Sequence, residues 1–380
     1  MKFKVDAMIA KQLVRVNTII QGKMANAILE NIHIIADTNG LLFTASNGSQ
    51  HVSVDCAFNE VEVIEEGQII VDSKRLVSVI NALNDSKAAT FTVQGEADKQ
   101  KLIVQSGRSR SQIQCSDGHV FPLVNVVFSS EQVNLSVPFR TFIGMYHDVA
   151  PFAAVNDVRT ALNHYNLTTN IATGQLRLCA TNGHCVSVSY TPLDLSGLQA
   201  DVNLVVPRAC FSALGAKCFD EKSVVNLQFD ERWFQLKCGN TTFSSVSVDQ
   251  SFPDVDRVIP RMANAEIVVN IDEFLEAVQR VSIINNKVNP SVTCLAENGE
   301  LRIISNNRST GESCEDAVSY QMSRCDSPTC EFSVMPQYLI NALNSAHGDT
   351  AIVKCGQPNL PISICTSQSN NVCVIAPCRA

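Results

Sequence analysis

Apolar and polar residues alternate along residues 175–190, QLRLCATNGHCVSVSY. This period of two predicts two strands with one face against a core, and the polar stretch around Asn182 predicts the turn that joins them in a half-buried hairpin. Weaker copies of the same pattern occupy residues 41–56 and 300–320. Three similar hairpins, each about a domain length apart, predict that the chain repeats one folding plan.

Between the hairpins, apolar residues recur three and four positions apart, which predicts two amphipathic helices in each repeat. Ser73 is the predicted N-cap of the second helix. Strands are predicted around the helices, for example at residues 27–36 and 372–375. The six predicted helices cover residues 5–20, 73–83, 138–152, 207–219, 271–285 and 336–346.

A valine shortly before each second helix, at Val71, Val206 and Val334, recurs at a spacing of roughly 130 residues, which is the size of a domain and not of a short solenoid repeat. Prolines and polar residues interrupt the pattern near residues 121–128 and 253–262. We therefore expect an α+β protein made of three tandem domains, each with two helices and antiparallel sheets, at residues 1–124, 129–254 and 262–380.

Composition narrows the classes of function. The chain has 45% hydrophobic residues, yet no apolar run approaches the length that crosses a bilayer, so we expect no membrane partner and a cytoplasmic location. The net charge of −8 argues against an exterior coated with lysine and arginine that grips nucleic acid, but it allows a local basic lining.

The 15 cysteines are odd in number and scattered, which predicts free, buried thiols and no disulfide framework. Cys179, His184 and Cys185 lie close in sequence, but strand alternation turns Cys185 away from its neighbours and no CxxC spacing occurs. Cys325 and Cys330 form an equally weak candidate metal site. The sequence also lacks GxxxxGK[ST], HExxH and GxSxG, so we expect no metal, no cofactor and no enzyme. A thiol enzyme would need a cysteine with a depressed pKa.

Several phrases in fixed order resemble one family along the whole chain. They are SGRSR at 106–110, DVRTALN at 157–163, LRLCATNGHCVSVSYTP, VVPR at 205–208, SFPDVDRVIP at 251–260 and the terminal VIAPCRA. Together they resemble the beta subunit of bacterial DNA polymerase III, the sliding clamp. The resemblance implies a head-to-tail homodimer in which six clamp domains form a ring around sliding duplex DNA. Helices would line the hole and sheets would form the rim. A separate ATP-driven clamp loader would open the ring.

The resemblance also assigns roles to residues. It places five side chains toward DNA: Lys11, Lys23, Lys74, Asn156 and Arg208. A solvated helix face is the alternative explanation for any one of these lysines. Phosphate contacts of this kind would be independent of sequence.

A second implied site is a groove in which the polymerase III catalytic subunit, the clamp loader and other proteins with a clamp-binding motif dock a short hydrophobic peptide. Plain core packing is the alternative for Leu162, Val186 and Val258. The matching positions are Arg159, Leu162, Thr181, Gly183, His184, Val186, Pro253, Val258, Val374, Pro377 and Arg379.

This sequence departs from the family pattern in the groove. Cys185 replaces a usual arginine, Ala376 and Cys378 stand where methionine is typical, and Ala380 replaces leucine. Because methionine adapts to varied partners, we expect a groove that still binds peptides with a shifted preference.

The implied dimer interface is also altered. Ser111 and Ile113 stand where the family presents two apolar residues, opposite Ile283 and Ile284 of the partner's third domain. Arg108 and Arg110 are expected to meet Glu312, Glu315 and Asp316 across this interface, although rim ion pairs contribute little. The second functional hypothesis is therefore a β-rich adaptor that binds peptides but not DNA, such as a divergent clamp that has lost ring closure.

Overall fold

The structure is a computed structural model. It describes the chain except residues 21, 25, 96–98, 216–221, 261–262, 264, 287, 326–329, 369 and 379–380, together with the side chains of residues 324 and 325. No helix in this part of the chain is long and apolar enough to cross a membrane.

Among the residues that the structure describes, two α-helices occur in each of the three repeats, and all six fall within the predicted segments. In the first helical segment, however, the α-helix ends at Leu13 and Val14–Ile19 continues as a 3-10 helix. The residue that caps the second helix is Asp72, whose side chain accepts the backbone N–H of Arg75, and not Ser73. The helices are α1 Ala7–Leu13, α2 Ser73–Asn81, α3 Phe139–Val149, α4 Arg208–Leu214, α5 Ile271–Ser282 and α6 Pro336–Asn344.

The described strands precede, separate and follow these helices, mostly in runs of several strands. The first nine are β1 Lys2–Asp6, β2 Asn31–Asp37, β3 Gly40–Ser46, β4 Gln50–Ala57, β5 Val61–Glu65, β6 Gly67–Asp72, β7 Ala88–Gln94, β8 Lys101–Ser106 and β9 Ser109–Asp117. The next eight are β10 Val133–Pro138, β11 Tyr165–Asn170, β12 Gln175–Thr181, β13 Cys185–Pro192, β14 Asn203–Val206, β15 Val224–Phe229, β16 Trp233–Cys238 and β17 Thr241–Val246. The last eight are β18 Ala265–Asn270, β19 Val292–Glu297, β20 Glu300–Asn307, β21 Glu312–Cys325, β22 Cys330–Val334, β23 Thr350–Cys355, β24 Ile362–Cys365 and β25 Asn371–Ile375.

The first compact unit comprises Met1–Phe142 and Pro207–Ser247. Its antiparallel sheet has the strand order β10-β15-β16-β17-β4-β3-β2-β6-β9-β8-β7-β1-β5. The strand predicted at residues 27–36 begins only at Asn31, because the side chain of Asn26 accepts the N–H of Ile28 and starts the 3-10 helix Ala27–Glu30. Helices α1 and α2 pack against each other and against the 3-10 helix Val14–Ile19, which α4 also contacts.

The second compact unit comprises Ile143–Val206 and Val248–Ala380. Its sheet has the order β14-β11-β12-β13-β25-β24-β23-β18-β21-β20-β19-β22. The three domain boundaries expected from the sequence cut across this division into two units, and they stay a prediction.

The three predicted hairpins are present as β3 with β4, β12 with β13, and β20 with β21. The middle hairpin is not half-buried as its alternation predicts, because both of its faces are covered. On β13, the Ser187 and Ser189 hydroxyls donate to the backbone oxygen and the carboxylate of buried Asp148. On the other face, Val186 and Val188 pack with Val255.

The cysteines differ from the predicted set of free thiols in one place. Cys330 on β22 and Cys355 on β23 form a disulfide. Eleven other described cysteines are free, and most of these are buried as expected. The bond joins two strands that are not hydrogen-bonded neighbours in the sheet, a contact that sequence spacing does not reveal.

Candidate partner-binding site

The turn between β12 and β13 holds its shape through its own side chains. The side-chain oxygen of Asn182 accepts the backbone N–H groups of His184 and Cys185 at 2.9 and 3.0 Å. The Thr181 hydroxyl donates to the carbonyl of Cys185 at 2.7 Å and accepts the N–H of Gly183. Gly183 has φ +89°, which a residue with a Cβ adopts only with strain. The turn therefore presents His184 to solvent.

Arg159 is fixed beside this turn. The Asp157 carboxylate accepts from the Arg159 side chain at 3.0 and 2.9 Å, and the hydrogen bonds from Arg159 lower the pKa of Asp157 to about 2. A Cβ added to Gly183 would lie 3.0 Å from the Arg159 guanidinium, so the two segments are in close approach. The structure thus places Arg159, Thr181, Gly183 and His184 close to one another, and their role in a groove stays a prediction.

Three of the predicted groove residues form the floor beneath this surface. Val186 and Val374 are paired in register between β13 and β25, and they are 6% and 3% exposed. Leu162, in the 3-10 helix Thr160–Asn163, is 2% exposed. Their side chains pack in the core, which favours plain core packing for Leu162 and Val186 and also for Val374, while their role in the groove stays a prediction.

Two cavities open beside the floor. The first, of about 510 Å³, is lined by Val258 and, among others, by Ile259, Leu360 and Pro361. Val258 and Leu360 are 44% and 47% exposed, so they can bury apolar surface against a ligand. Pro253 is exposed but lines neither cavity.

The second cavity has about 380 Å³. Its lining residues Ala376 and Cys378 are tied down by backbone bonds, from Ala376 N–H to the His184 carbonyl at 2.9 Å and from Cys378 N–H to the Ser333 carbonyl at 2.7 Å. Tyr338 bonds with Asn182, while burial raises the pKa of its phenol. The cavity is lined by His184, Val288, Asn289, Pro290, Ser291, Met335, Tyr338, Ala376, Pro377 and Cys378. The predicted residue Arg379 lies outside the described residues.

Sequence reasoning missed several of these positions. Met335, Tyr338 and Leu360 are far from the predicted residues in sequence, and only the fold brings them to the cavities. It also missed Arg177, which donates to Asp256 at 3.0 Å and lies 5.7 Å from the Tyr190 ring centre. This ion pair ties β12 to the 3-10 helix just before Val258. The only sign of this ion pair in the sequence is a single arginine within the strand pattern of residues 175–181.

A thiol enzyme finds no support at this site. Burial raises the pKa of both Cys179 and Cys185 to about 12, so these thiols stay protonated at neutral pH. Both side chains are buried, whereas His184 is exposed, so the three residues do not share one metal-binding surface. The described residues contain no group of three potential metal ligands.

The residues expected to face DNA lie in different surroundings. Lys23 and Lys74 are exposed, as is Asn156, which has φ +58°. Lys11 instead donates to Asp85 at 2.6 Å, so part of its charge is already compensated. Arg208 is half-buried at the start of α4.

The residues expected at the dimer interface also divide. Arg108 and Arg110 are exposed at the hairpin of β8 and β9, and Ile283 is 80% exposed directly after α5. Ile284 is half-buried. Ile113 pairs with Leu102 on β8 and is only 4% exposed, so its side chain packs largely within its own unit, and its role at the dimer interface stays a prediction.

The acidic partners expected for the two arginines are engaged within the chain. Arg302 donates to Glu315 at 2.6 Å and Arg280 donates to Asp316 at 2.7 Å. These arginines lower the pKa of both carboxyl groups. An incoming cation must therefore share carboxylates that already have a partner.

Comparison with known proteins gives matches along the whole chain. The DNA polymerase III beta subunit family models match in order: the N-terminal domain at residues 1–125, the central domain at 127–254 and the C-terminal domain at 256–379. The beta sliding clamp of Caulobacter vibrioides strain NA1000 is 25% identical over 365 residues, covering 95% of each chain.

Solved structures share the fold. A DNA polymerase sliding clamp from Bacillus subtilis superposes with a TM-score of 0.88 at 22% identity, covering 100% of this chain and 99% of that one. The Caulobacter crescentus beta sliding clamp gives 0.87 at 22% identity with the same coverage, and its structure carries polyethylene glycol at a proposed beta-motif tethering region. This chain therefore belongs to the DNA polymerase III beta subunit family, the beta sliding clamps.

Proposed function

We propose that two copies of this chain close head to tail into a ring that encircles duplex DNA and tethers the polymerase and other proteins through the two cavities lined by Val258 and by His184. Beta sliding clamps are DNA polymerase processivity factors and not enzymes. The domains of the ring would be residues 1–124, 129–254 and 262–380, and the ring would act in the cytoplasm.

The main support for the proposal is the pairing of equivalent strands in successive repeats. The second strand of the first hairpin, β4, pairs with β17, the last strand of the second repeat. The equivalent strand of the second hairpin, β13, pairs in the same antiparallel way with β25, the last strand of the third repeat. In both cases, the second strand of a hairpin pairs with the last strand of the following repeat.

By this pairing, two of the described strands of the single chain lack an equivalent partner along part of their length. In the third hairpin, the first half of β21 pairs only with β20, and in the first repeat the first half of β9 pairs only with β8, within the described strands. An open strand edge offers unpaired backbone donors and acceptors to another chain. Pairing β21 of one copy with β9 of another continues this pattern, and two such contacts close a dimer.

The peptide-binding role is supported by the rigid turn and by two neighbouring apolar cavities. Volumes of about 510 and 380 Å³ suit side chains of a short peptide. The exposed Val258, the half-buried Tyr338 and Pro377 supply apolar contact. Because intramolecular bonds already hold the turn, binding would order little of the protein.

The DNA-binding role is supported by basic residues on packed helices. Lys74 and Arg208 lie on helices that both contact the 3-10 helix Val14–Ile19 in the first unit. With a chain charge of −8, a few local cations would give weak, salt-dependent phosphate contacts that permit sliding. Retention would depend on encirclement.

Retention on circular DNA tests the proposal against the adaptor alternative. The protein is loaded on nicked circular duplex by a clamp loader and ATP, and the bound fraction is measured by gel filtration at moderate salt. We expect retention that is lost when a restriction enzyme linearises the circle. A dimer-free protein that binds clamp-motif peptides but never stays on circles would support the adaptor instead.

A further inference from the structure

A polar cavity of about 360 Å³ adjoins the second of the two apolar cavities. The two share Asn289 and Ser291 in the segment after α5, so they lie next to each other. The remaining lining residues are Asn286, Thr293, Ile304, Asn306 and Arg308.

The lining of this polar cavity is suited to an anion. The described lining residues supply amide and hydroxyl groups and one guanidinium, but no carboxylate. Asn286 is held in place, since its side-chain oxygen accepts the N–H of Val288 at 2.8 Å, and the Thr293 hydroxyl lies 2.8 Å from that of Ser333. Arg308 is exposed and forms no ion pair within the described part of the chain.

We propose that the polar cavity binds an acidic side chain of the same partner peptide whose apolar residues enter the cavity at His184. This inference rests on the proposed peptide-binding function. A guanidinium binds a carboxylate through two parallel hydrogen bonds, and neighbouring amides can donate further ones. Because the two cavities share Asn289 and Ser291, the acid would lie close in sequence to the apolar anchor.

Two features favour an acidic peptide residue in the polar cavity, namely the shared lining with the cavity at His184 and the charge of Arg308. An apolar peptide alone would leave the Arg308 charge without a counterion, whereas an Asp or Glu beside the motif would supply one. The protein would then prefer peptides with an acidic flank over peptides with a neutral or basic flank. Arg308 is in this way a specificity-determining residue for partner choice.

Peptide binding measured by fluorescence anisotropy tests this. The ligands are a clamp-binding consensus peptide extended at either end by two residues that carry Asp, Asn or Lys. For one end, we expect the Asp peptide to bind about fivefold tighter than the Asn peptide at low salt, with a smaller ratio at high salt because the site is exposed.

Variants then assign the effect to Arg308. Arg308→Gln should remove the preference for Asp while leaving the affinity for the Asn peptide unchanged, and Arg308→Glu should shift the preference to the Lys peptide. Arg75→Gln, an exposed arginine of the first unit, is the matched control and should behave as the wild type. Circular dichroism verifies that each variant is folded.

The outcomes separate the two proposals. If the Asp and Asn peptides bind equally at both ends, or if the preference survives in Arg308→Gln, the acidic subsite is overturned while the peptide groove stands. If no consensus peptide binds in any form, the proposed groove fails and the subsite fails with it.

Discussion

The exposed side chain of Ile283 offers a sharp test of ring closure. It follows α5 directly and is 80% exposed. The ion pair between Arg280 and Asp316, at 2.7 Å, ties the end of α5 to the half of β21 that is open to a partner. Ile283 therefore lies beside the strand edge that we propose as the dimer contact. Burial of its side chain against the partner would stabilise the dimer.

The magnitude follows from burial. Full burial of an isoleucine side chain contributes about 1.5 to 3 kcal/mol, and a head-to-tail dimer contains the contact twice. Ile283→Ser should thus weaken dimerisation by about 3 to 6 kcal/mol, which corresponds to an increase in Kd of roughly 10² to 10⁴.

Sedimentation velocity over a concentration series measures this change. The matched control is Val158→Ser, which alters an aliphatic side chain that is 95% exposed in the same unit and is not assigned to the contact. We expect the control to dimerise as the wild type does. A folded Ile283→Ser variant with the wild-type dimer Kd would refute the assignment of this face to ring closure.

Three further predictions concern stability and partner choice. Replacing Cys330 and Cys355 together by alanine removes a crosslink over 25 residues and should lower the free energy of unfolding by up to about 3.5 kcal/mol, measured in urea under non-reducing conditions; an unchanged midpoint would contradict this. Burial lowers the pKa of His33 below its ordinary 6.5, so its neutral form is favoured in the fold and stability should fall as pH drops below about 6.5. His33→Gln should lose less stability between pH 7.5 and 5 in the same urea assay, and an equal loss would count against the buried imidazole as the cause. Ala376→Met and Cys378→Met, which restore the side chains typical of the family, should tighten binding of the consensus peptide in anisotropy titrations, whereas equal or weaker binding would argue that these positions do not limit affinity.

Much of the fold could be predicted because apolar periodicity records which face of an element is buried. All six helices follow that signal, and so do the three hairpins. Element ends were less accessible, since they depend on single hydrogen bonds such as the cap from Asp72 to Arg75. The double burial of β13 was missed because Ser187 and Ser189 look polar in sequence, yet both donate to Asp148.

The candidate site was predictable only in part, for a related reason. Arg159 and Gly183 each lie within a contiguous motif that the sequence shows, at residues 157–163 and 175–190. Tyr338 and Leu360 reach the cavities from separate segments, and no periodic pattern marks them. The disulfide between β22 and β23 was missed for the same cause, because long-range contacts leave no local signal.

The preference for partner peptides can change at the rim of the site, which we define as Ala376 and Cys378, more easily than at the floor. Val186 and Val374 in the floor are packed in the core, so altering them would disturb the fold before it altered a ligand contact. The rim residues Ala376 and Cys378 are held by backbone bonds, which do not depend on side-chain identity. Their side chains can therefore vary at little cost in stability, and the shifted peptide preference expected for this chain belongs to the rim.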